Sequence, residues 1–319
     1  MALQPKSQTG SLSTVIVAFA GVVGLLAIAP WTDVIYPFFL MQALCFAIFA
    51  CAFNLLAGYT GLLPFGHAVF LGTGGYLAAH AAKVWDLPPE LAIPVGLLSS
   101  MALGVLVGAV AIRRQGIYFS MTTLALAQMM YFLYLQAPFT HGEDGIQAVP
   151  RGLMFGLLDL RNPTVLYYVV LSIFVLAFLF IYRVVHSPFG DVLKAIRENE
   201  PRMISLGYMV DRYKFIVFVL SATLAGLAGA TKAIVSQNAS LTDVHWSMSG
   251  EVVLMALVGG MGTLLGPVVG AFILVAMQQY LAQFGQWVTV LQGLIFMACV
   301  LVFRRGIVGE VAHRLKRSI

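Results

Sequence analysis

The chain has 319 residues, 60% of them hydrophobic and only 10% charged, with a mean hydropathy of +0.92. A soluble domain carries about 25% charged residues, so this composition excludes a soluble enzyme or nucleic-acid binder and leaves a chain embedded in a lipid bilayer. The net charge of +5 fits the concentration of Lys and Arg on the cytoplasmic side of membrane proteins, without a nucleic-acid partner.

Residues 1–12 read as a cytoplasmic tail. No cleavable signal peptide follows, because the first apolar run ends in Ala29-Pro30-Trp31, not at a small-residue cleavage site. Crossing about 30 Å of hydrocarbon takes roughly 20 residues. Runs of that kind lie at Ser13–Pro30, Val34–Leu56, Leu62–Ala82, Leu91–Ile112, Ile117–Gln136, Val165–Tyr182 and Phe215–Thr231, and none contains Asp, Glu, Lys or Arg. A longer uncharged stretch runs from Val252 to Phe303. Helices are the expected form, since each satisfies its own backbone hydrogen bonds in lipid. The residues from 13 to 303 form one transmembrane domain, followed by a basic tail, 304–319, with Arg304, Arg305, Arg314, Lys316 and Arg317.

With the N-terminus inside, Arg113, Arg114 and the segment 183–214 fall on the cytoplasmic side. Acidic residues such as Asp86, Glu143, Asp144 and Asp243 outnumber basic ones on the other. A basic tail also belongs inside, so parity demands one or three passes between Val252 and Phe303. The expectation is a broken or re-entrant element around Gly259-Gly260-Met261-Gly262, then crossings near Leu264–Leu281 and Trp287–Phe303. The chain is thus an all-α integral membrane protein of about nine transmembrane helices plus that element.

Gly58-Tyr59-Thr60-Gly61 followed by Gly66 echoes Gly259-Gly260-Met261-Gly262 followed by Gly266. Glycine-interrupted segments in corresponding halves point to a transport site between internal repeats. Glycines equally let membrane helices pack closely, and both readings stay open. Irregular backbone at membrane depth is tolerated where it is buried in protein or lines a cavity, which makes Tyr59, Gly61, Gly66, His67, Gly259, Gly260 and Gly262 the candidate translocation path. The default role of His67 is a hydrogen bond between helices, and Asn54 and Gln128 read the same way.

The polar stretch from Gly190 to Gly207 predicts two short amphipathic helices broken at Pro201, with Asp191 as N-cap and Gly207 at the C-terminal end. Cys45, Cys51 and Cys299 lie in apolar runs and read as free thiols, with neither a metal cluster nor a disulfide. No phosphate-cradling G-x-x-x-x-G-K-[ST] is present, and no nucleophile–base–orienter set marks an enzyme.

The segment Gly190 to Leu220 resembles the cytoplasmic loop of the permease subunits of branched-chain amino-acid ABC importers, of the M type. Asn54 to Gly61 with Phe65-Gly66-His67-Ala68 is similar to that family's first signature, and Gly116 to Leu124 to its central span. Thr140-His141-Gly142-Glu143-Asp144-Gly145 resembles its external loop, although Glu143 stands where small residues are more usual. Val258 to Gly270 is similar to its last signature. The resemblance implies a single permease domain and partnership with a second, homologous permease, two cytoplasmic ATPase subunits and a periplasmic binding protein. It also implies a coupling loop, 183–214, in which Lys194, Arg197, Glu198, Glu200 and Gly207 meet an ATPase, and an external loop with Gly142, Asp144 and Gly145. No cofactor is implied. The location implied is the bacterial inner membrane, with both termini cytoplasmic. Related permeases serve urea, amides and other small metabolites, so the substrate stays open beyond branched-chain amino acids. An ion-coupled secondary transporter is the competing reading, and it usually needs an intramembrane carboxylate.

Overall fold

The structure, a computed structural model, describes residues 36–302 and 306–314, with Phe19, Gly21, Val23, Gly24 and Leu26 in the first apolar run. The tails 1–12 and 315–319 and most of the run Ser13–Pro30 lie outside the described residues. Helix dominates, and the strands are two residues long. The helices are α1 (Pro37–Thr60), α2 (Ala68–Lys83), α3 (Pro89–Ala111), α4 (Ile117–Gln136), α5 (Pro163–Val185), α6 (Pro188–Glu198), α7 (Glu200–Ser205), α8 (Val210–Ser236), α9 (Trp246–Gly259), α10 (Gly266–Leu281), α11 (Val288–Val302) and α12 (Gly306–Arg314).

Among the described residues four helices, α1, α3, α5 and α8, are long and apolar enough to cross a membrane. Helix α4 coincides with the expected run Ile117–Gln136, and elsewhere the departures have local reasons. Residues 62–67 are not helical, so the run Leu62–Ala82 yields only the 16 residues of α2. Helix α8 extends past Phe215–Thr231 at both ends and takes in Asp211, Arg212, Lys214 and Lys232. The uncharged stretch Val252–Phe303 contains most of α9 and all of α10 and α11. The first, α9, begins at Trp246, so Glu251 lies inside a helix and not in the loop before one. At 1.5 Å per residue its 14 residues span about 21 Å and the 16 of α10 about 24 Å, each short of the hydrocarbon thickness.

Helix α1 is the axis of the bundle. From Leu40 to Thr60 every residue but Gln42 is buried, the pattern of a helix enclosed on all sides. It packs against α5, α8, α9 and α10. Helices α2, α3 and α8 meet through small residues: Gly74 faces Gly226, Gly229 lies on the Leu71 carbonyl, and Gly96 abuts Gly74 and Ala230. Such residues let membrane helices approach backbone to backbone. Hydroxyls complete the contacts, with Ser100 Oγ donating to Phe70 O at 2.9 Å and Ser221 Oγ to Ala52 O at 2.5 Å. Two described residues of the first apolar run meet α5, where Phe19 stacks on Phe178 at 4.0 Å and Tyr167 Oη donates to Leu26 O at 2.7 Å.

One end of the bundle carries Arg113, Arg114 and the helices α6 and α7. The N-cap of α6 is Ser187, whose Oγ accepts from Gly190 N at 3.4 Å, with Pro188 in the first turn. The helix therefore starts three residues before the expected cap Asp191, which sits in its first turn. Asn199 ends α6 and caps α7 by accepting from Arg202 N. Gly207, at φ +86°, follows the end of α7 as expected. The opposite end holds the loop 137–162. Its strand β1 (Ile146–Gln147) pairs antiparallel with β4 (Asn238–Ala239), and β2 (Leu153–Met154) with β3 (Leu158–Asp159). Arg151 donates to the carbonyls of Ile234 and Val235, which are among the last carbonyls of α8 and lack an intrahelical partner.

Candidate functional site

The two glycine breaks meet. Helix α1 stops at Gly61, whose φ of +75° is a left-handed C-cap. Helix α9 stops at Gly259 and the chain turns through Gly260 (φ +118°) and Gly262 (φ +82°) into α10. Thr263 organises that turn. Its Oγ1 donates to Gly260 O at 2.8 Å and accepts from Gly266 N at 3.1 Å, so one hydroxyl holds both lips.

Asn54 joins the breaks. Its Nδ2 donates to Thr263 O and its Oδ1 accepts from Gly262 N, both at 2.8 Å. The side chain is 3% exposed, and both halves of the amide are satisfied by a backbone segment more than 200 residues away. Gly58, one helical turn later on the same face, leaves the gap through which the Gly262 backbone approaches.

Arg197, near the end of α6, reaches this seam. Its Nη1 donates to Gly58 O, a carbonyl in the last turn of α1, where four carbonyls lack an intrahelical partner and the helix dipole is negative. The same guanidinium lies beside Gly262, and the Arg197 stem beside Gly61. One side chain of the expected coupling loop thus touches both breaks.

The other members of the loop are arranged differently. Glu200 accepts from Lys214 Nζ at 2.5 Å and from Gln115 Nε2 at 3.4 Å, which ties α7 to the first turns of α8 and to the α3–α4 connection. Lys214 is 4% exposed. Lys194 pairs with Asp191 at 3.2 Å in an exposed contact, and Glu198 is exposed at the end of α6.

Of the other path candidates, Tyr59 is buried in the last turn of α1, and Gly66 packs against the Thr123 carbonyl of α4. Gly259 lies on Gly266 and Gly270 inside the α9–α10 hairpin. His67 is fully buried in an aromatic cage, stacked on Phe49 at 5.4 Å and edge-on to Phe53 and Phe70, both at 5.7 Å. Its Nε2 is 3.5 Å from Ser221 Oγ, and Ala68 N donates to Ser249 Oγ at 2.9 Å, so α1, α2, α8 and α9 converge there. In the external loop, Gly142 and Gly145 take positive φ, and Gly145 presses on the Ala239 carbonyl beside the β1–β4 pair. Asp144 is exposed in the turn between them.

Thr263, Lys214, Ser221 and Ser249 did not stand out in the sequence. Thr263, which follows the G-x-x-G break directly, carried the best available signal. A lone hydroxyl in a helix, such as Ser221, carries none.

Helices hinged on glycines, packed through small residues and closed around a buried axial helix define a multi-pass membrane transport protein. Residues 35–302 match the family described as "Branched-chain amino acid transport system / permease component", and the chain belongs to that family of transport permeases. It is 26% identical over 298 residues to the high-affinity branched-chain amino acid transport system permease protein LivM of Salmonella typhimurium, covering 86% of this chain and 70% of that one. LivM of Escherichia coli is 26% identical over 294 residues, 85% of this chain and 69% of the relative. The ribose import permease protein RbsC of Haemophilus influenzae is 26% identical over 219 residues, 64% of each chain. No solved structure matches.

Proposed function

We propose that the chain is a membrane subunit of an ATP-driven importer and forms, with a second homologous permease, the pathway for branched-chain amino acids across a bacterial inner membrane. The first apolar run, α1 to α5, α8, α10 and α11 make nine crossings, and α9, the broken element, makes a tenth passage, which brings both termini to the cytoplasmic side. Two ATPase subunits dock on α6 and α7, and a periplasmic binding protein delivers substrate near the loop 137–162. The LivM relatives support the substrate class, and the ribose permease among the relatives makes the substrate the part most in need of a test.

The observation that carries the reading is the Arg197 contact. A helix pair at the basic end reaches the junction of two glycine hinges, so a push on α6 moves the backbone of α1 and of the α9–α10 turn together. Alternating access needs such a rigid-body linkage around a central site. Lys194 and Glu198 face outward as ATPase contacts, while Arg197 and Glu200 act within the permease. Glu251, inside α9, keeps the ion-coupled alternative worth testing.

The test is reconstitution of the chain with its neighbouring permease, ATPase and binding-protein genes in liposomes. The expected result is ATP-dependent uptake of leucine, isoleucine or valine that needs the binding protein. Uptake that follows an imposed proton or sodium gradient without ATP would replace this reading with the secondary transporter. ATP-dependent uptake of a sugar or an amide would correct the substrate alone.

A further inference from the structure

A concave site opens at the basic end, away from the seam of the two breaks. It lies where the last turn of α3 meets the first turns of α8 and has a volume of about 430 Å³. Its walls are Ala109, Ile112 and Ile216, and its floor is Gly108 against Phe215. Ala109 and Ile216 are exposed, so the cavity opens sideways, toward the surface that α3 presents through Val105, Leu106 and Val110. In a membrane protein that surface faces acyl chains.

The rim is charged. Arg113 comes from just past the end of α3, and Arg212 and Asp211 from the first turn of α8. Among the described residues none of the three side chains makes a hydrogen bond or ion pair, in contrast to Lys214 and Arg197 nearby. Two guanidiniums against one carboxylate leave the rim one positive charge in excess. The charge sits where the helices leave the apolar layer, directly above an apolar slot open to lipid.

We infer that this cavity binds an anionic phospholipid, its phosphodiester held between Arg113 and Arg212 and an acyl chain lying along Ile112 and Ile216 over Gly108. A single negative charge with a hydrocarbon tail matches both halves of the site. A guanidinium fork also suits phosphate oxygens better than a point charge does. Basic pockets between helices at the membrane surface recognise lipid headgroups by this combination. The bound lipid braces α8 beside Lys214, which holds α7 through Glu200. The inference does not depend on the transported substrate or on ATP coupling.

The test uses the full-length chain purified in detergent and titrated with phosphatidylglycerol or phosphatidylcholine of matched chain length, with bound lipid read by native mass spectrometry. Phosphatidylglycerol is expected to bind in preference. The double variant R113Q/R212Q is expected to weaken it roughly 25-fold, about fivefold for each guanidinium withdrawn from an anionic headgroup. Arg114 is exposed one residue away but does not line the cavity, so R114Q is expected to keep the wild-type preference. A109F fills the slot from its exposed wall without changing charge and is expected to lower binding, and it stays informative if the double variant fails to fold. Equal binding of the two lipids, or an equal loss in R114Q, would overturn the inference in favour of diffuse electrostatics. Competition by inorganic phosphate would make this a small-anion site, and release of the lipid on association of a second copy would make it a protein interface. Either result rejects the lipid assignment.

Discussion

Replacing Arg197 with Ala removes the contact between α6 and the two hinges. The lost interaction is a charge-assisted hydrogen bond to Gly58 O, of a type worth about 1.5–3 kcal/mol. The same charge at a helix C-terminus is worth about 0.3–1 kcal/mol when solvated. Arg197 is exposed outside this part-buried contact, and the two figures describe one contact, so a net loss of ~2 kcal/mol is the reasonable scale. If α6 drives the hinges through this contact, that loss corresponds to roughly a 30-fold shift in the equilibrium between coupled and uncoupled states. In proteoliposomes containing the complete importer, R197A should hydrolyse ATP near the wild-type rate while substrate carried per ATP falls by about tenfold or more. R197K keeps the charge but loses the planar fork, so it should fall between. The ATPase subunits should still co-purify, because Lys194 and Glu198 are untouched. An R197A importer that transports at the wild-type ratio would refute the latch. Loss of the ATPase from R197A would refute it differently, by making Arg197 a docking residue.

Three further outcomes follow from the packing. Gly270 lies against the Met255 carbonyl and Gly259, so a Cβ there collides with backbone, whereas Gly250 has nothing within 4 Å. G270A should lower the thermal midpoint of the purified protein by several degrees and G250A should leave it in place, read by fluorescence-detected size exclusion after heating. Lys232 pairs with Asp243, their side chains 13% and 12% exposed, and Lys232 lies 5.2 Å from the Phe46 ring centroid. K232M should cost about 3–5 kcal/mol by stranding a buried carboxylate, and the double variant K232M/D243L should recover most of it in the same assay. N54L leaves Gly262 N and Thr263 O without partners, at about 1–3 kcal/mol for a buried group, and hydrogen exchange at 260–265 should rise selectively; unchanged exchange there would remove Asn54 as the joint.

The spans were legible because lipid imposes a blunt rule, and Ile117–Gln136 coincides with α4. Helix ends were less so. Phe215–Thr231 under-read α8 because Lys214 and Lys232 look like boundaries until Glu200 and Asp243 neutralise them. Leu62–Ala82 over-read α2 because an apolar run with Pro64 and Gly66 looks continuous to a hydropathy count, although both residues interrupt helix. The uncharged stretch that begins at Val252 leaves Glu251 just outside it, yet Glu251 sits within α9 and accepts at 2.9 Å from Gln278, 27 residues away on α10. Pairings across such distances leave no local trace. Asn54 and Arg197 were both visible as residues, but their convergence on Gly58 and Gly262 is a tertiary fact.

The echo of the two glycine segments gains content from that convergence. Helix α1 descends to the basic end, breaks at Gly61, and α2 returns; α9 descends to the same end, breaks at Gly259, and α10 returns. Asn54 can bond Gly262 and Thr263 only because both breaks lie at one level of the bundle. An inverted repeat would put the two breaks at opposite ends, out of reach of a single amide. If the echo is a repeat, it is a parallel one, related by an axis along the membrane normal. In that arrangement one push from one side of the membrane acts on both hinges in the same direction. A single side chain at the end of α6 is then geometrically sufficient to move them together, and a second arginine on the far side of the bundle would add nothing.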